Sequence, residues 1–591
     1  MKNMIRNILL LVLTISIFGG IQDASAQKRD DIISAMRDEI SRSMKELKLE
    51  SLERPYYVEY KVEFKESSYI SATLGSLVNS ETTKTANVTV GIRVGNYKTD
   101  NTNFFDFSLS FFGSGDDEER FKGRRISPEA DYESLRRQLW LATDAAYKQA
   151  AELYSKKTAT MKNRMRKDTT HDFLRVPAEK KGFIGKFTDF GIKKHENLLR
   201  DLSAIFKDFK DIDASGLSME YLPKTVYYVN SEGMEYVKQS SMTGLEAVAF
   251  TQNDDGMPLA NYFQILRNGP SDLPTNSELI ASVRHMAQEL SDLNKAPVLD
   301  EPYSGPLIFA DEASAQIMAQ MFAPNLATQR MPMTEGGVQQ SDRFTAFQSK
   351  IGGRVLPEFM SVDAKPQETT FMGTKLVGSS VFDDDGVDSE NVTLVKNGYL
   401  KTLLSSRVPT RRVRKSNGHR RGGAPMLSNI FVSADVKHSK SKKELSERMM
   451  KLCKDRELPY GLIVRKLTDL NVMYTSLYRI SGGNLNIPRG NGKFSPIMVY
   501  KVYPDGKEEL VRGLQGSGFT VQSFKDIILV SHNEYILNYW APSVTSPYVS
   551  GGDQYINTTI ISPDLLFEDG EMRLIEDDFK KPPLIANPLG E

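Results

Sequence analysis

Two spacings of apolar residues divide the first part of the chain into predicted helices and strands. From Asp31 to Leu49 apolar residues recur every three or four positions, which predicts an amphipathic helix. Tyr56 to Glu66 and Lys84 to Val94 alternate polar and apolar residues, which predicts a pair of strands. Helical spacing returns in two later segments, Tyr132 to Tyr154 and Asn276 to Leu293. We therefore expect residues 27–296 to form a mixed α/β domain.

A second domain, residues 303–563, follows the linker Pro297 to Pro302 and is richer in strands and glycine turns. Gly305 to Ala310 predicts a strand that leads into a helix capped by Asp311 or Ser314. Short strand patterns follow at Leu462 to Leu467, Ile497 to Tyr503 and Ile527 to Val530. Their spacing favours a curved, barrel-like antiparallel sheet. The predicted fold class is α+β, a mixed α/β domain followed by a β-rich domain, with residues 564–591 as a C-terminal tail.

Composition gives no global preference for a charged partner. The 591 residues contain 76 Lys plus Arg and 76 Asp plus Glu, so the formal net charge is zero, and neither nucleic acid nor an anionic membrane is an expected partner. The basic segment Ser155 to Lys186 is interpreted as an exposed helix end and loop rather than a nucleic-acid-binding arm. Cys453 is the single cysteine, which excludes an intrachain disulfide.

The first 26 residues have the pattern of a signal peptide. Lys2 and Arg6 precede an apolar run from Ile8 to Phe18, and small residues end at Ala26. A retained anchor helix is the less favoured interpretation, because the apolar run is too short to span a bilayer. We expect cleavage near Ala26 and a periplasmic or secreted protein without a membrane span.

Three phrases between Gly378 and Phe431 occur in an order typical of a known family. They are Asp384-Asp385-Gly386-Val387, Asn397-Gly398-Tyr399-Leu400, and Asn417-Gly418-His419-Arg420-Arg421 followed by Pro425, Asn429 and Phe431. This succession resembles the C-terminal half of the TldD/PmbA family, also called the modulator of DNA gyrase family. The resemblance implies a fold shared by zinc metallopeptidases and their metal-free partner subunits.

The resemblance also draws attention to metal ligands that this sequence lacks. Zinc subunits of the family carry an HExxxH helix and a later cysteine ligand, whereas the corresponding residues here are Ala319 to Pro324 and Ser546 to Gly552. Zinc hydrolysis needs about three protein ligands and a bound water. The resemblance is therefore to the metal-free PmbA/TldE-like type, with no cofactor expected on this chain and zinc on a partner subunit.

The candidate site residues lie in the same stretch. Six basic residues form a dense patch there: Arg411, Arg412, Arg414, Lys415, Arg420 and Arg421. Carboxylate recognition and a solvated loop are equally good interpretations of the patch. We selected Arg420, Arg421 and Asn429 as candidate residues for binding substrate or partner.

Two other interpretations of this stretch concern metal binding. His419 is a weak alternative metal ligand, and a hydrogen-bonded loop imidazole is the favoured interpretation. The acidic residues from Asp383 to Asp385 favour a turn over a calcium loop, because Val381 and Val392 would occupy the first and twelfth ligand positions of an EF-hand.

Three functional hypotheses follow from the sequence. The first is an exported, non-catalytic subunit that binds unfolded peptide and pairs with a zinc-bearing TldD-like paralogue. The second is a stand-alone metallopeptidase with a site rebuilt from His419, Glu390 and Asp383. The third is a non-enzymatic surface scaffold. No catalytic residue is assigned, and the chain is not expected to be catalytic alone.

Overall fold

The structure, a computed structural model, describes residues 30–49, 53–106, 123–163, 169–183, 187–334, 345–469, 494–542, 555–576 and 579. The predicted signal peptide and residues 546–552 lie outside the described residues, as do residues 580–591.

The described residues contain six α-helices. They are α1 (residues 30–46), α2 (Tyr132–Asn163), α3 (Ile192–Ala204), α4 (Asn276–Lys295), α5 (Glu312–Ile317) and α6 (Lys442–Asp455). A π turn spans Met318–Phe322, and 3-10 turns span Ile205–Asp208, Pro270–Asp272, Ala323–Leu326 and Ser523–Asp526. Thr275 with Glu278 forms a capping box at the start of α4, which satisfies orphan backbone N–H groups there.

Strands of the N-terminal half form one nine-stranded sheet. They are β1 (Pro55–Thr73), β2 (Ser76–Val94), β4 (Gly123–Ile126), β5 (Lys180–Phe183), β6 (Ala214–Tyr221), β7 (Lys224–Asn230), β8 (Glu235–Ser240), β9 (Thr243–Gln252) and β10 (Pro258–Arg267), with β3 (Phe104–Phe105) outside this sheet. Its order is β10-β9-β6-β1-β7-β8-β5, with β2 pairing with β1 and β4. Leu74 and Gly75 close the β1–β2 hairpin with φ of 46° and 79°, the positive values of a type I′ turn.

The C-terminal half is dominated by a twelve-stranded sheet. In chain order, and including short strands outside this sheet, the first strands of this half are β11 (Tyr303–Phe309), β12 (Met333–Thr334), β13 (Met360–Ala364), β14 (Thr370–Phe371), β15 (Thr374–Lys375), β16 (Val392–Lys396), β17 (Tyr399–Leu400), β18 (Arg420–Arg421), β19 (Ala424–Pro425) and β20 (Asn429–Ala434). The later strands are β21 (Ser439–Lys440), β22 (Gly461–Leu467), β23 (Pro496–Val502), β24 (Glu508–Val511), β25 (Leu514–Ser517), β26 (Ile527–Pro542) and β27 (Tyr555–Leu574).

The main path of this sheet is β17-β16-β13-β20-β27-β11-β22-β23-β24. Most pairs are antiparallel, but β11 with β22, β20 with β27 and β21 with β26 are parallel. Short hairpins β14–β15 and β18–β19 stand apart from it, and β12 pairs with β3 of the N-terminal half.

The predicted α+β class is confirmed, and several segments extend beyond their predicted bounds. The sheet of the C-terminal half is mixed rather than purely antiparallel. Residues 564–574, which the sequence placed in the tail, form the second half of β27 and pair with β11, β25 and β26. They are mostly buried, so this part of the chain belongs to the sheet.

The described part of the basic segment Ser155 to Lys186 is only partly exposed. Its first residues continue α2 as far as Asn163. Lys157 is buried and its Nζ lies 2.6 Å from an Asp172 carboxylate oxygen, while Lys156 pairs with Asp106 at 2.5 Å. These two charges hold loops against α2, because a buried ammonium needs a paired carboxylate.

The two halves share a packed interface. Ile497 and Met498 of β23 belong to the apolar cluster that α4 and β10 build in the N-terminal half. Leu266 of β10 packs with Val377 and with Trp540 of β26. The edge strand β10 thus lies against the C-terminal sheet, and this contact frames the candidate site.

Candidate functional site

The helix that the sequence resemblance aligns with the family's zinc helix begins directly after a central strand. β11 lies between β27 and β22, so Leu307 and Phe309 are buried. The chain turns at Asp311, whose φ is 52°, into the short helix α5 and then the π turn Met318–Phe322. A π turn widens the helix and frequently marks a functional site.

The described side chains that the resemblance aligns with the zinc helix do not form a zinc site. Ala319 and Pro324 are buried and carry only carbon in their side chains. Gln320 donates from Nε2 to the Thr468 carbonyl at 2.9 Å. Within the described ranges, no group of three or more His, Cys, Asp or Glu side chains is placed to hold a metal. Because zinc prefers imidazole, thiolate and carboxylate ligands, the donors present do not fit this metal.

A stripe of polar side chains runs along this helix. Glu312, Gln316 and Gln320 are spaced by four residues and therefore share one face. Gln316 donates from Nε2 to the Tyr262 hydroxyl at 2.5 Å and to Glu312 Oε1 at 2.9 Å, and its Oε1 accepts from the Leu467 N–H at 2.7 Å. The stripe ties α5 to β10 and to the end of β22.

Glu312 is the titratable member of this stripe. Burial raises the pKa of its carboxyl, and the positive charge of Lys466 opposes the shift. Lys466 lies 3.5 Å from a Glu289 carboxylate oxygen. The sequence analysis missed Glu312 and Tyr262. The four-residue spacing of polar side chains in an otherwise apolar segment could have identified the polar face of α5.

Strand β10 is hydrogen-bonded to a strand on one side and has no strand partner on the other among the described residues. It pairs with β9 alone among the strands described. Backbone groups of alternate residues point away from β9: the Tyr262 N–H donates to the Asn261 side chain at 2.9 Å, and the Leu266 carbonyl accepts from Asn538 at 3.4 Å. Ala260 and Gln264 have the same parity and face the same way. An edge without a strand partner therefore lies beside α5, but Asn261 and Tyr262 are almost fully buried, and only the segment around Gln264 is partly exposed.

The predicted acidic turn is present and positions the β18–β19 hairpin. Asp383 Oδ1 accepts from the N–H groups of Asp385 and Val387 at 2.9 and 3.0 Å, and its Oδ2 accepts from the Arg420 N–H at 3.1 Å. Burial, together with the charge of Asp385, raises the pKa of Asp383 to about 8 against these hydrogen bonds. The turn closes a loop, as the sequence analysis favoured.

Arg420 joins this turn to the N-terminal sheet. Its Nη1 lies 2.5 Å from Asp385 Oδ1 and its Nη2 lies 3.6 Å from Glu59 Oε1. Glu59 also accepts from the hydroxyls of Tyr228 and Tyr57 at 2.8 and 2.9 Å. Burial acts to raise the pKa of Glu59, but the Arg420 charge and these hydrogen bonds outweigh it and lower the pKa to about 2. Arg420 is thus engaged inside the protein.

Arg421 and Asn429 are also bound to neighbouring backbone. Arg421 donates to the Leu427 carbonyl at 2.8 Å. Asn429 is fully buried and donates to the Glu368 carbonyl at 2.7 Å. A Cβ at Gly378 would stand 2.5 Å from Asn429 Oδ1, so this close contact requires glycine. These contacts hold loops together, and a binding role for the three candidate residues stays a prediction.

The other four basic residues of the predicted patch have a different environment. Arg411, Arg412, Arg414 and Lys415 are exposed, whereas Arg420 and Arg421 are half-buried and turned inward. The structure therefore divides the patch into an exposed loop and an internal pair.

His419 is a buried loop imidazole. Its Nδ1 lies 2.8 Å from the Asn417 carbonyl oxygen, and its Nε2 lies 3.3 Å from the Ser428 hydroxyl. Burial lowers its pKa to about 4, so the ring is neutral at pH 7. His419 does not meet Glu390 and Asp383 in a three-ligand group in the described part of the chain.

Cys453 lies in α6 and has the environment of a structural thiol. Its Sγ lies 3.5 Å from the Tyr460 carbonyl oxygen. Burial raises its pKa to about 11, so the thiolate is scarce at neutral pH and the residue is unsuited to nucleophilic catalysis.

Comparisons with known proteins agree with this geometry. A family profile described as the PmbA/TldA metallopeptidase C-terminal domain matches residues 302–570. The chain belongs to the TldD/PmbA family. No curated protein sequence matches it.

Three solved structures share the fold of this TldD/PmbA protein. TldE from Thermococcus kodakarensis is 13% identical with a TM-score of 0.57, and the match covers 91% of this chain and 100% of that one. A protein described as a modulator of DNA gyrase from Thermotoga maritima MSB8 is 16% identical, with a TM-score of 0.53 and coverage of 87% and 96%. A protein with a similar description from Bacteroides thetaiotaomicron VPI-5482 is 9% identical, with a TM-score of 0.55 and coverage of 92% and 98%. At these identities the likeness shows a common fold.

Proposed function

We propose that this TldD/PmbA-family chain is an exported, non-catalytic subunit that holds unfolded peptide. The peptide adds as a strand to the partly exposed segment of the β10 edge at Gln264. A zinc-bearing TldD-like paralogue supplies the catalytic metal. The signal-peptide pattern supports a periplasmic or secreted location after cleavage near Ala26. Among the described helices, none combines the length and apolar character that crossing a bilayer requires.

The observation that carries the proposal is the combination of a metallopeptidase-related fold with unsuitable side chains at the ligand positions. Ala319, Gln320 and Pro324 occupy the segment where the family's zinc helix lies. Gln320 is the only one of the three with a polar side chain, and its amide nitrogen is already bound to Thr468. A hydrolytic zinc needs three such positions and an open fourth.

The segment of β10 around Gln264, which is partly exposed and has no strand partner among the described residues, supports the binding half of the proposal. Strand addition uses backbone hydrogen bonds, which are independent of peptide sequence and suit an unfolded substrate. Tyr262 places β10 next to α5 through its hydroxyl, which accepts from Gln316 Nε2 at 2.5 Å.

Metal content and activity test the assignment of roles. The purified chain is expected to contain zinc far below one per chain and to cleave no peptide. A relative that carries an intact HExxxH motif, produced in the same cells, is expected to co-purify with it and to degrade peptides until a chelator is added. Stoichiometric zinc in the chain alone, with activity lost in His419→Ala, would establish the stand-alone peptidase instead. Failure of the two proteins to co-purify would favour the scaffold hypothesis.

A substitution at the edge strand tests the binding mode. In Gln264→Pro the outward N–H is lost while the β9–β10 ladder keeps its hydrogen bonds, because proline is tolerated at an edge. Equilibrium dialysis against a pool of N-acetylated pentapeptides, read by mass spectrometry, should show retention reduced about fivefold or more. Gln264→Ala keeps the N–H and should retain the pool like the unaltered chain. Equal retention by the proline variant would exclude strand addition at β10.

A further inference from the structure

Four basic side chains project from one short loop of the C-terminal half. Residues 410–415 form this basic loop, and its exposed cations are Arg411, Arg412, Arg414 and Lys415. Among the residues that the structure describes, none of these four side chains has an ion-pair or hydrogen-bond partner. The zero net charge of the whole chain therefore conceals a local concentration of positive charge that no acid of the described protein neutralises.

The backbone of the basic loop is tied to the protein although its cations are free. The Thr410 N–H donates to the Val413 carbonyl at 2.9 Å, and the Val413 side chain is buried in the apolar core of the C-terminal half. At the base of the loop, the Ser405 hydroxyl donates to the Lys415 carbonyl at 2.8 Å. Because the backbone is already ordered, a partner that binds the loop loses little affinity to conformational entropy.

An exposed apolar side chain accompanies the basic loop. Arg330 Nη1 donates to the Pro409 carbonyl at 3.4 Å, which places the next residue, Met331, near the start of the loop. The Met331 side chain is 40% exposed. Basic side chains combined with an exposed apolar one are typical of protein segments that lie at a membrane surface, where the cations contact headgroups and the apolar group enters the acyl boundary.

The identity of the cations indicates which anion suits them. Three of the four are arginines, and a guanidinium forms two parallel N–H···O bonds with a phosphate. A protein carboxylate would accept the same bonds, but the exposed Met331 favours a lipid surface over an acidic protein. Nucleic acid also offers phosphates, and it is set aside because the chain is proposed to be exported, so the choice of lipid rests on that part of the proposed function.

We infer that the basic loop binds the headgroup phosphates of an anionic phospholipid bilayer and holds the exported protein at the membrane surface. This contact needs no membrane-spanning helix. Each basic residue close to an anionic bilayer strengthens binding about fivefold. Four such residues give weak, reversible binding, and salt weakens it because the charges are exposed and therefore screened.

Vesicle sedimentation tests this inference. The purified mature chain is mixed with millimolar lipid, either phosphatidylcholine alone or equal parts of phosphatidylcholine and phosphatidylglycerol. We expect the chain to sediment with the anionic vesicles only, and to be released as sodium chloride is raised. Replacing both Arg411→Gln and Arg412→Gln should reduce the partition constant about 25-fold and leave the melting temperature unchanged. The matched control, Lys443→Gln with Lys451→Gln, removes two exposed lysines of α6 and should bind like the unaltered chain.

Competing partners give results that would overturn the inference. Absence of sedimentation with anionic vesicles, or equal sedimentation of the loop variant, would remove the role of the basic loop and leave the proposed function in place. Capture by immobilised polyglutamate without vesicle binding would mean that the loop takes an acidic protein. Release by inorganic phosphate, beyond that caused by sodium chloride of equal ionic strength, would mean that it takes free phosphate. Tighter binding to a double-stranded oligonucleotide than to vesicles would contradict both the inference and the proposed export.

Discussion

Arg407 provides the most informative perturbation of the contact between the two halves of the chain. It is fully buried, its Nη2 lies 2.6 Å from a Glu232 carboxylate oxygen, and its Nε donates to the Leu174 carbonyl at 2.8 Å. Its guanidinium also lies 4.0 Å from the centre of the Phe173 ring. Glu232, Leu174 and Phe173 belong to the N-terminal half, so one side chain from the C-terminal half is bound by three residues of the other.

Replacing Arg407 by Ala should reduce the free energy of unfolding by about 4 kcal/mol. Removing one partner of a buried ion pair costs about 3–5 kcal/mol, because the remaining charge stays buried and unpaired. Loss of the stacked ring contact adds about 0.5–2 kcal/mol, and partial access of water to Glu232 reduces the total. Adding Glu232→Gln to Arg407→Ala should recover part of the loss, because it removes the unpaired charge.

Urea unfolding measures this change in each half separately. The chain has two tryptophans, Trp140 on α2 and Trp540 on β26, and single-tryptophan variants report on one half each. Both transitions should shift together in Arg407→Ala. Lys375→Ala is the matched control, since this residue pairs with Asp272 across the same interface but is 54% exposed, and exposed pairs contribute about 0–1 kcal/mol. A cost for Arg407→Ala no larger than this control would refute the reasoning.

Two further predictions concern the loop that contains the family phrases. Because burial lowers the pKa of His419 to about 4, its neutral form stabilises the fold above about pH 6.5, and this stability is lost as pH falls toward 4. The melting temperature should therefore fall less between pH 7.5 and pH 5 in His419→Gln than in the unaltered chain. The exposed control His285→Gln should behave like the unaltered chain. An equal fall in His419→Gln and in the unaltered chain would contradict this prediction. Gly418→Ala should destabilise by more than about 3 kcal/mol, because its Cβ would stand 2.0 Å from the Asp388 carbonyl oxygen. Gly352→Ala shares the positive φ but has no atom within 4 Å, so its cost should be about 1–2 kcal/mol; equal costs in chemical denaturation would exclude crowding as the cause.

Local sequence patterns predicted the bounds of an element well where those bounds depend only on residues within the element. α4 was predicted from Asn276 to Leu293 and ends at Lys295, because its capping box and apolar face lie within one segment. The β1–β2 hairpin was predicted too short. The outer half of this hairpin has few buried residues. Those that are buried are covered by β6 and α3, which follow much later in the chain.

The site was harder to predict because its partners are far apart in sequence. Arg420 was chosen as a candidate from local charge density, but Glu59, its partner from the other half, precedes it by hundreds of residues. Tyr262 lies on a strand at the edge of its sheet, and edge position is a property of the assembled sheet.

The position of β27 has a consequence for how the protein is made. It is the last strand of the described chain, yet it lies in the interior of the C-terminal sheet, between β20 and β11. Parallel pairing with β20 must wait for the whole intervening segment to be synthesised. A translation product that stops before Tyr555 would leave the edges of β20 and β11 bare and open to aggregation. Quality control of this protein is therefore expected to act on chains that have not yet received their final strand.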